Sequence, residues 1–254
     1  GEKVIIDSAA TFITDGVAIG DIVLNDTRAT YGYVESIDSE IQLTVFQMYD
    51  TNTGSFDNIV SNAYRVVNAS STGAAVVSWK RILNKDFEKQ GNIFVILNGT
   101  TTVTTTIDAY RCSGGQVLLA GSSMYNEGEL TLNQATTTAN VFCVMPVESN
   151  QSLICADTVP KDEIYLIENI SAAMSVSGGS AASSVVSLRI RQKGGVFNTE
   201  RIYDLSSQGG AYTDIENGGI LIQAGTDFKL RVDSTSANNV RVSGELQYIE
   251  IDEI

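Results

Sequence analysis

The sequence contains no histidine, and this absence excludes several kinds of catalytic and metal site. Zinc sites that use histidine, cysteine–histidine pairs and Ser-His-Asp triads all need an imidazole. The three cysteines, Cys112, Cys143 and Cys155, form no Cys-x-x-Cys pair. Each lies in an apolar, strand-like stretch, so we expect buried free thiols. The alternative is one disulfide between two of them.

Positive charge is also scarce. The chain has 16 Lys and Arg against 30 Asp and Glu, which gives a formal net charge of −14. There is no basic run, and the densest cations are Lys80-Arg81 and then Arg189 with Arg191. Because a nucleic-acid surface needs clustered cations, we expect no nucleic-acid partner. The acidity predicts a solvated surface, with docking on a basic partner as the alternative.

Long apolar runs are missing as well. No stretch reaches the roughly 20 apolar residues that span a bilayer, and no signal peptide is visible, so we expect no membrane partner. The sequence begins at Gly1 rather than methionine, which leaves open a processed start or further sequence upstream.

What the sequence does contain is an alternation of apolar and polar residues with a period of two. Residues 186–191, 228–233 and 240–248 show it most clearly, and it predicts antiparallel strands with one buried face. Gly-Gly pairs punctuate the strands at 114–115, 178–179, 194–195, 209–210 and 218–219. Strand 185–191, turn 193–195 and strand 196–205 are predicted to form one hairpin.

Helix signals are nearly absent. Residues 80–90 are the best helical candidate, with a strand followed by a turn as the alternative. Short strands at roughly ten-residue spacing predict an all-β chain of sandwich or jelly-roll architecture. The chain has 2 prolines, Pro146 and Pro160, so charge, closure or assembly must protect the exposed sheet edges.

We divide the chain into three modules. Residues 1–72 are predicted to form a small N-terminal β-module, a candidate for anchoring, which closes with residues 64–67 and is followed by a soft linker at 68–73. Residues 73–148 are predicted to form a β-sandwich, and residues 149–254 a C-terminal sandwich or jelly roll. The alternative is that the second and third modules share one sandwich.

Three groups of turn and strand residues follow one another along the chain. The first consists of Phe12, Gly16-Val17, Gly20-Asp21, Val23, Asn25 and residues 38–40; here Gly16 and Gly20 are predicted to bracket a bend and residues 22–24 to form a buried strand. The second comprises residues 97–105, 110–111, 120–122 and 126–131. The third comprises residues 151–152, 158–160, 165–166, 188–191, 194–197 and 227–231. In this order they resemble the virion structural proteins of tailed bacteriophages, which have tandem β-sandwich modules. Lys161-Asp162 stand where family members usually have a glycine, so the turn there differs.

The resemblance implies a non-enzymatic structural component of a phage virion. On this basis we expect a capsid decoration or head-fibre protein that binds neighbouring virion proteins of the shell, neck or tail. We expect a homo-oligomer, with a trimer suggested by analogy. Two alternatives stay open: a tail or adsorption protein that binds host surface glycans, and a bacterial surface adhesin or enzyme accessory module.

No residue is assigned a catalytic, cofactor-binding or metal-binding role. Carboxylate groupings of the glycosidase kind lie in polar, turn-like stretches where solvated carboxylates are expected, namely Glu35/Asp38/Glu40, Glu127/Glu129, Asp162/Glu163 and Asp214/Glu216. Glu250, Asp252 and Glu253 are considered as calcium ligands. They alternate with isoleucines, so an edge or final strand is the simpler interpretation.

The remaining candidates are interpreted as structural. Threonines of residues 100–106 are expected on a strand or surface rather than in a sugar site, and residues 177–180 at a hairpin tip rather than in a phosphate loop. Trp79 is expected in the core. Four tyrosines near turns are the better candidates for interface or ligand contact: Tyr31, Tyr33, Tyr49 and Tyr125.

Overall fold

The computed structural model consists of β-strands joined by turns and loops. It describes residues 3–27, 30–50, 55–56, 63–67, 75–97, 99–120, 124–134, 137–177, 181–207, 211–214 and 219–252. Within these ranges there are 19 strands and no helix, which confirms the prediction of an all-β chain. Residues 80–90, the best helical candidate, form the end of one strand, a turn and the start of the next. No helix in the described ranges is long and apolar enough to cross a membrane.

The first half of the chain forms three sheets. The strands are β1 (Lys3–Ile6), β2 (Ile22–Asn25), β3 (Thr30–Ser39), β4 (Gln42–Asp50), β5 (Ser55–Phe56), β6 (Tyr64–Val67), β7 (Ala75–Leu83), β8 (Lys89–Leu97), β9 (Gly114–Ala120), β10 (Leu130–Gln134) and β11 (Thr137–Met145). The first sheet has the order β1-β4-β3-β2-β6, with β5 paired to β4. The second has the order β8-β7-β9, and β10 pairs with β11.

The second half forms two further sheets that face each other as a sandwich. The strands are β12 (Ala156–Thr158), β13 (Glu163–Val176), β14 (Ser183–Arg191), β15 (Asn198–Ser206), β16 (Ala211–Asp214), β17 (Ile220–Ile222), β18 (Asp227–Thr235) and β19 (Val240–Asp252). One sheet, the β14 sheet, has the order β12-β18-β14-β15. The other, the β13 sheet, has the order β16-β13-β17, with β19 also paired to β13. The predicted hairpin is confirmed as β14 and β15.

The chain separates into two compact units. The first contains Gly1–Ile82 and Gln90–Leu153, and the second contains Leu83–Lys89 and Ile154–Ile254. The linker expected at 68–73 lies outside the described residues. Independent folding of the three predicted modules stays a prediction.

The core of the first unit uses both faces of its first sheet. Val23 packs with Val34 and Leu43 on one face, while Ile22 and Leu24 pack on the other face in a separate buried cluster. All three β2 residues are fully buried, as the sequence predicts. Successive side chains in a strand point to opposite faces, so one apolar run serves two hydrophobic layers.

The core of the second unit lies between the β13 and β14 sheets. Tyr165 at its centre stacks on Tyr248 with ring centroids 4.7 Å apart, and meets Phe228 edge-on at 6.1 Å. Leu188 is completely buried in the same cluster. Because each sheet buries one face here, the other face of each sheet is left to solvent, and those two outer faces carry the candidate sites.

Candidate binding faces

The outer side of the β13 sheet carries a group of aliphatic side chains that we call the aliphatic face, made of Ile164, Leu166, Leu221, Ile249 and Ile251. Cross-strand pairing brings them together: Ile164 lies opposite Ile251, and Leu166 lies opposite both Ile249 and Leu221. Leu221 is 59% exposed, Ile249 46% and Ile251 41%. Three neighbouring strands therefore present one apolar surface to solvent.

The aliphatic face occupies one end of the sheet. A register irregularity between Ile167 and Asn169 separates it from the rest of β13, and past it the outward positions are Ser171, Ala173 and Ser175. Large aliphatic residues on the solvent side of an antiparallel sheet break the usual alternation of buried apolar and exposed polar residues. Contiguous exposed apolar surface of this kind marks sites of protein–protein contact.

The outer side of the β14 sheet carries positive charge, and we call it the cationic face. It consists of Arg189 and Arg191 on β14 and Lys229 and Arg231 on β18, with Phe197 beside them. Arg189 lies opposite Lys229 in the strand register. The Phe197 ring holds two of the cations, since Lys229 Nζ lies 4.0 Å and Arg191 Cζ 4.4 Å from its centroid.

Two carboxylates partly balance the cationic face. Arg191 Nε donates to Asp227 at 2.8 Å, and Asp227 also accepts from Thr158 Oγ1 at 2.6 Å. Arg189 donates to Asp233 at 2.6 Å. Burial lowers the pKa of Lys229, and the neighbouring arginines lower it further. Among the described residues at this end of the sheet, four cations meet two carboxylates, so the cationic face is positive in a chain of net charge −14.

Two of the four cations of the cationic face could be recognised from the sequence. Arg189 and Arg191 stand out as a pair, whereas Lys229 and Arg231 lie about forty residues further along the chain. The signal that joins them is the period of two: both pairs occupy the polar positions of strands whose apolar positions are buried. Antiparallel pairing of those two strands then puts the four cations on one side.

A cavity of about 570 Å³ opens on the first unit. Phe12, Tyr64, Asp7 and Asp15 line it, and the part of the lining that the structure describes contains no Lys or Arg. The Tyr64 hydroxyl donates to Asp7 at 2.7 Å, and this hydrogen bond lowers the pKa of Asp7. Burial, with the same hydrogen bond, raises the pKa of Tyr64. Anionic carboxylates beside aromatic rings suit a cationic group rather than acid–base chemistry.

In the carboxylate grouping Glu35, Asp38 and Glu40, Glu35 is exposed as expected, while Asp38 and Glu40 hold local structure through hydrogen bonds. Asp38 accepts from Ser36 Oγ at 2.8 Å and from Thr44 Oγ1 at 2.9 Å, and these hydrogen bonds lower its pKa. Glu40 accepts from the loop that precedes β2 and its pKa is lowered too. Carboxyl groups held in the ionised form do not suit a general acid.

Of the other carboxylate groupings, one contains a buried residue, against the prediction, and one is exposed, as predicted. Glu163 was expected to be solvated, but it begins β13 with its side chain 7% exposed and pairs with Lys89. The sequence pattern placed Glu163 in a turn, but it is buried because it is the first residue of the central strand β13. Glu127 and Glu129 are exposed, as expected. The pair Asp214 and Glu216 lies outside the side chains that the structure describes.

The aromatic candidates differ in how far they are buried. Trp79 is 4% exposed in the core, as predicted. Tyr31 and Tyr33 are partly buried and pack edge to face, 5.9 Å apart, against a buried cluster, and their role in interface or ligand contact stays a prediction. Tyr125 is exposed. The side chain of Tyr49 lies outside those described.

Metal and sugar candidates gain no support from the geometry. Within the described ranges no group of three or more His, Cys, Asp and Glu side chains is arranged to hold a metal ion. Glu250 and Asp252 lie on β19, the final strand and an edge of its sheet, while Glu253 lies outside the described residues. Most of residues 100–106 are exposed, and they belong to none of the strands given above. Residues 178–180, most of the predicted hairpin tip, lie outside the residues that the structure describes.

All three cysteines are free. Cys112 and Cys143 contribute to one hydrophobic cluster of the first unit, which also contains Trp79. Cys155 belongs to the second unit, where burial raises the pKa of its thiol to about 11.

The chain was compared with models of protein families, with curated proteins and with solved structures. None of the three comparisons finds a match. The two outer faces and the cavity are therefore interpreted from their own chemistry.

Proposed function

We propose that the chain is a non-enzymatic structural component of a tailed-phage virion, exposed on the capsid as a decoration or head-fibre protein. It binds neighbouring virion proteins and copies of itself, with a trimer as the expected assembly. Its work is mechanical: stiff β-modules project from the particle or hold subunits together.

The observation that carries this proposal is the aliphatic face. Leu221, Ile249 and Ile251 stand out from three paired strands, where water contacts apolar surface that a partner would cover. Burial of such surface stabilises an association by about 25 cal/mol per Å² before the entropic cost of association is subtracted. A rigid sheet also loses little conformational freedom on binding, which favours a protein partner.

Two further observations support a structural role. Within the described residues, carboxyl groups that were candidates for catalysis are exposed, hydrogen-bonded to hold loops, or ion-paired. The ordered resemblance to phage virion proteins covers most of the chain and points the same way. The resemblance, rather than the geometry, is what names the particle.

The test is to localise the chain in purified phage particles. Particles from a lysate are imaged by cryo-electron microscopy, and copies are counted by quantitative mass spectrometry against the major shell protein. Many copies spread over the shell are expected. A few copies at one vertex would reassign the chain to the neck or tail, and its absence from particles would overturn the proposal.

A matched pair of variants links the test to the aliphatic face. Leu221→Asp puts a charge on this face, and Leu153→Asp puts the same charge on a leucine that is 68% exposed in the first unit. We expect Leu221→Asp to reduce incorporation into particles at least tenfold and Leu153→Asp to leave it unchanged. Equal incorporation of both variants would show that the aliphatic face is not the contact.

The cationic face favours a second candidate function, adsorption to host surface glycans that carry carboxylate or phosphate groups. The four cations would meet anionic groups, and their attraction would weaken as salt rises. Arg231→Ala removes a charge from this face, while Arg241→Ala removes one from an exposed position on β19. Loss of adsorption to host cells in the first variant alone would favour this function over the shell role.

A further inference from the structure

Two of the three thiols are placed side by side in the first unit. Cys112 Sγ lies 3.1 Å from the carbonyl oxygen of Gly114 and 3.6 Å from that of Lys80. Next to it, Gly115 N donates to Ser152 Oγ at 2.8 Å, and the Cys143 sulfur lies within reach of both Ser152 and Cys112. The two sulfur atoms are thus neighbours in one buried cluster beside Gly114-Gly115.

The packing around them fixes this approach. Cys143 is 2% exposed on β11, in the same buried cluster as Trp79 and Met145. A Cβ placed on Gly115 would lie 2.5 Å from Trp79 and 3.2 Å from Met145, so the small residue is what lets β9 come this close. Side chains of a close-packed core have little freedom to separate.

We propose that Cys112 and Cys143 form an intramolecular disulfide when the protein meets an oxidising medium, and that Cys155 stays a free thiol. The oxidant is a small disulfide such as oxidised glutathione. The two thiols give up two protons and two electrons, one S–S bond forms between them, and the oxidant's S–S bond breaks to give two thiols. This inference does not depend on the proposed function.

The surroundings also order the two steps of the exchange. Cys112 is the more accessible thiol, so the small disulfide reaches it first and the two form a mixed disulfide. The hydrogen bond with Cys143, together with burial, raises the pKa of the Cys112 thiol, so this first attack is the slow step. Cys143 then attacks Cys112 Sγ and releases the second small thiol. In the reduced protein the hydrogen bond from Cys112 lowers the pKa of the Cys143 thiol to about 7 against the effect of burial. Once Cys112 is in the mixed disulfide it has no proton to donate, and the hydrogen bonds from Ser152 and the Val144 backbone are the ones that still favour the attacking thiolate.

The bond would close a loop of 30 residues, 113–142, that contains β9 and β10. Cross-linking such a loop restricts the unfolded chain and so stabilises the folded one. A particle protein that folds in a reducing cell and is released into an oxidising medium would gain this stabilisation only after release.

The full-length chain is incubated with oxidised glutathione under native conditions, then denatured, alkylated with iodoacetamide and digested. We expect one peptide pair linked through Cys112 and Cys143, alkylation of Cys155, and an intact mass lower by two hydrogen atoms before alkylation. Three alkylated cysteines, or a link that includes Cys155, would overturn the proposal. This measurement uses the wild-type chain, so it does not depend on the folding of any variant.

Variants supply a second readout. Cys155→Ala should keep the link, whereas Cys112→Ala and Cys143→Ala should lose it. Oxidation should raise the thermal midpoint of the wild type and of Cys155→Ala by several degrees and leave that of Cys112→Ala unchanged. A rise of the same size in Cys112→Ala would show that the stabilisation has another cause.

Discussion

Leu166 and Ile249 lie directly opposite each other on β13 and β19, with both side chains on the solvent side of the sheet. Their neighbours on the buried side, Tyr165 and Tyr248, belong to the aromatic core of the second unit. Both faces of these strands are thus apolar at this end, a pattern expected for a sheet covered on both sides. The arrangement predicts that another molecule covers the outer side.

Leu221→Asp is expected to weaken self-association of the purified chain. A carboxylate on β17, at one side of the aliphatic face, would have to lose its hydration when two copies meet, which costs several kcal/mol per buried, unpaired charge. Sedimentation velocity at matched concentrations measures the effect, and the expected result is a shift from oligomer to monomer.

Leu153→Asp is the control for that experiment, since it adds the same charge at a more exposed leucine outside the aliphatic face. We expect its sedimentation to match the wild type. A wild-type chain that sediments as a monomer across the accessible concentrations would contradict the expected homo-oligomer.

Gly219→Ala is expected to destabilise the second unit. Gly219 has φ +66°, and an added Cβ would lie 2.4 Å from Leu166 Cδ1 and 2.9 Å from the carbonyl oxygen of Ile167. The backbone oxygen cannot move without disturbing β13, so strain and overpacking add to a loss of about 2–4 kcal/mol. Urea unfolding measures this difference.

Gly194→Ala separates the cost of backbone strain from the cost of overpacking. Gly194 has φ +75°, but an added Cβ would meet nothing within 4 Å, so only the backbone term of about 1 kcal/mol remains. Equal losses in the two variants would mean that the contact with Leu166 and Ile167 is unimportant.

Asp227→Asn is expected to cost about 1–3 kcal/mol in the free energy of unfolding. Asp227 begins β18 with its side chain 10% exposed, and its two oxygens accept from Thr158 and Arg191. The amide would leave the Arg191 charge without its carboxylate and would supply only one acceptor oxygen. Thermal or urea unfolding of the purified variant tests the expectation.

Asp26→Asn is the matched control, because Asp26 pairs with Arg65 through two hydrogen bonds of 2.7 Å in an exposed setting. Exposed ion pairs contribute about 0–1 kcal/mol, so the loss should be smaller than for Asp227→Asn. The reverse ranking would contradict the importance of burial in this comparison.

Local patterns were sufficient to predict the all-β class and several of the strands. Alternation in residues 185–205, with Gly194-Gly195 between, predicted the β14–β15 hairpin, and the run Ile22-Val23-Leu24 predicted a fully buried strand. Both signals are short in sequence and depend on side-chain direction in an extended chain. Gly16 and Gly20, predicted to bracket a bend, both have positive φ.

Features that depend on pairing between distant strands could not be predicted in the same way. The cationic face needs Arg189 beside Lys229, and the aliphatic face needs Leu166 beside Ile249, and no local pattern gives those registers. Glu163 was misassigned for a related reason, because its burial and its pairing with Lys89 follow from tertiary structure. The closeness of Cys112 and Cys143 has the same origin.

Acid is expected to loosen the loop that precedes β2 through Glu40. Glu40 accepts hydrogen bonds from Thr14 Oγ1 at 2.7 Å and from the backbone N–H of Thr14 and Ile13, and these lower its pKa. Because the folded pKa lies below the unfolded value, this stabilisation is present above about pH 4.3 and is lost as the pH falls through the folded pKa.

Thermal midpoints measured between pH 7 and pH 3 test this dependence on Glu40. Glu40→Gln should lower the midpoint at pH 7 and reduce its further decline in acid, since one titrating group has been removed. Thr14→Val removes one of the donors and keeps the carboxylate, so it should give a smaller change in the same direction. If Glu40→Gln declined in acid as steeply as the wild type, the hydrogen bonds to Glu40 would not be what links the stability of this loop to pH.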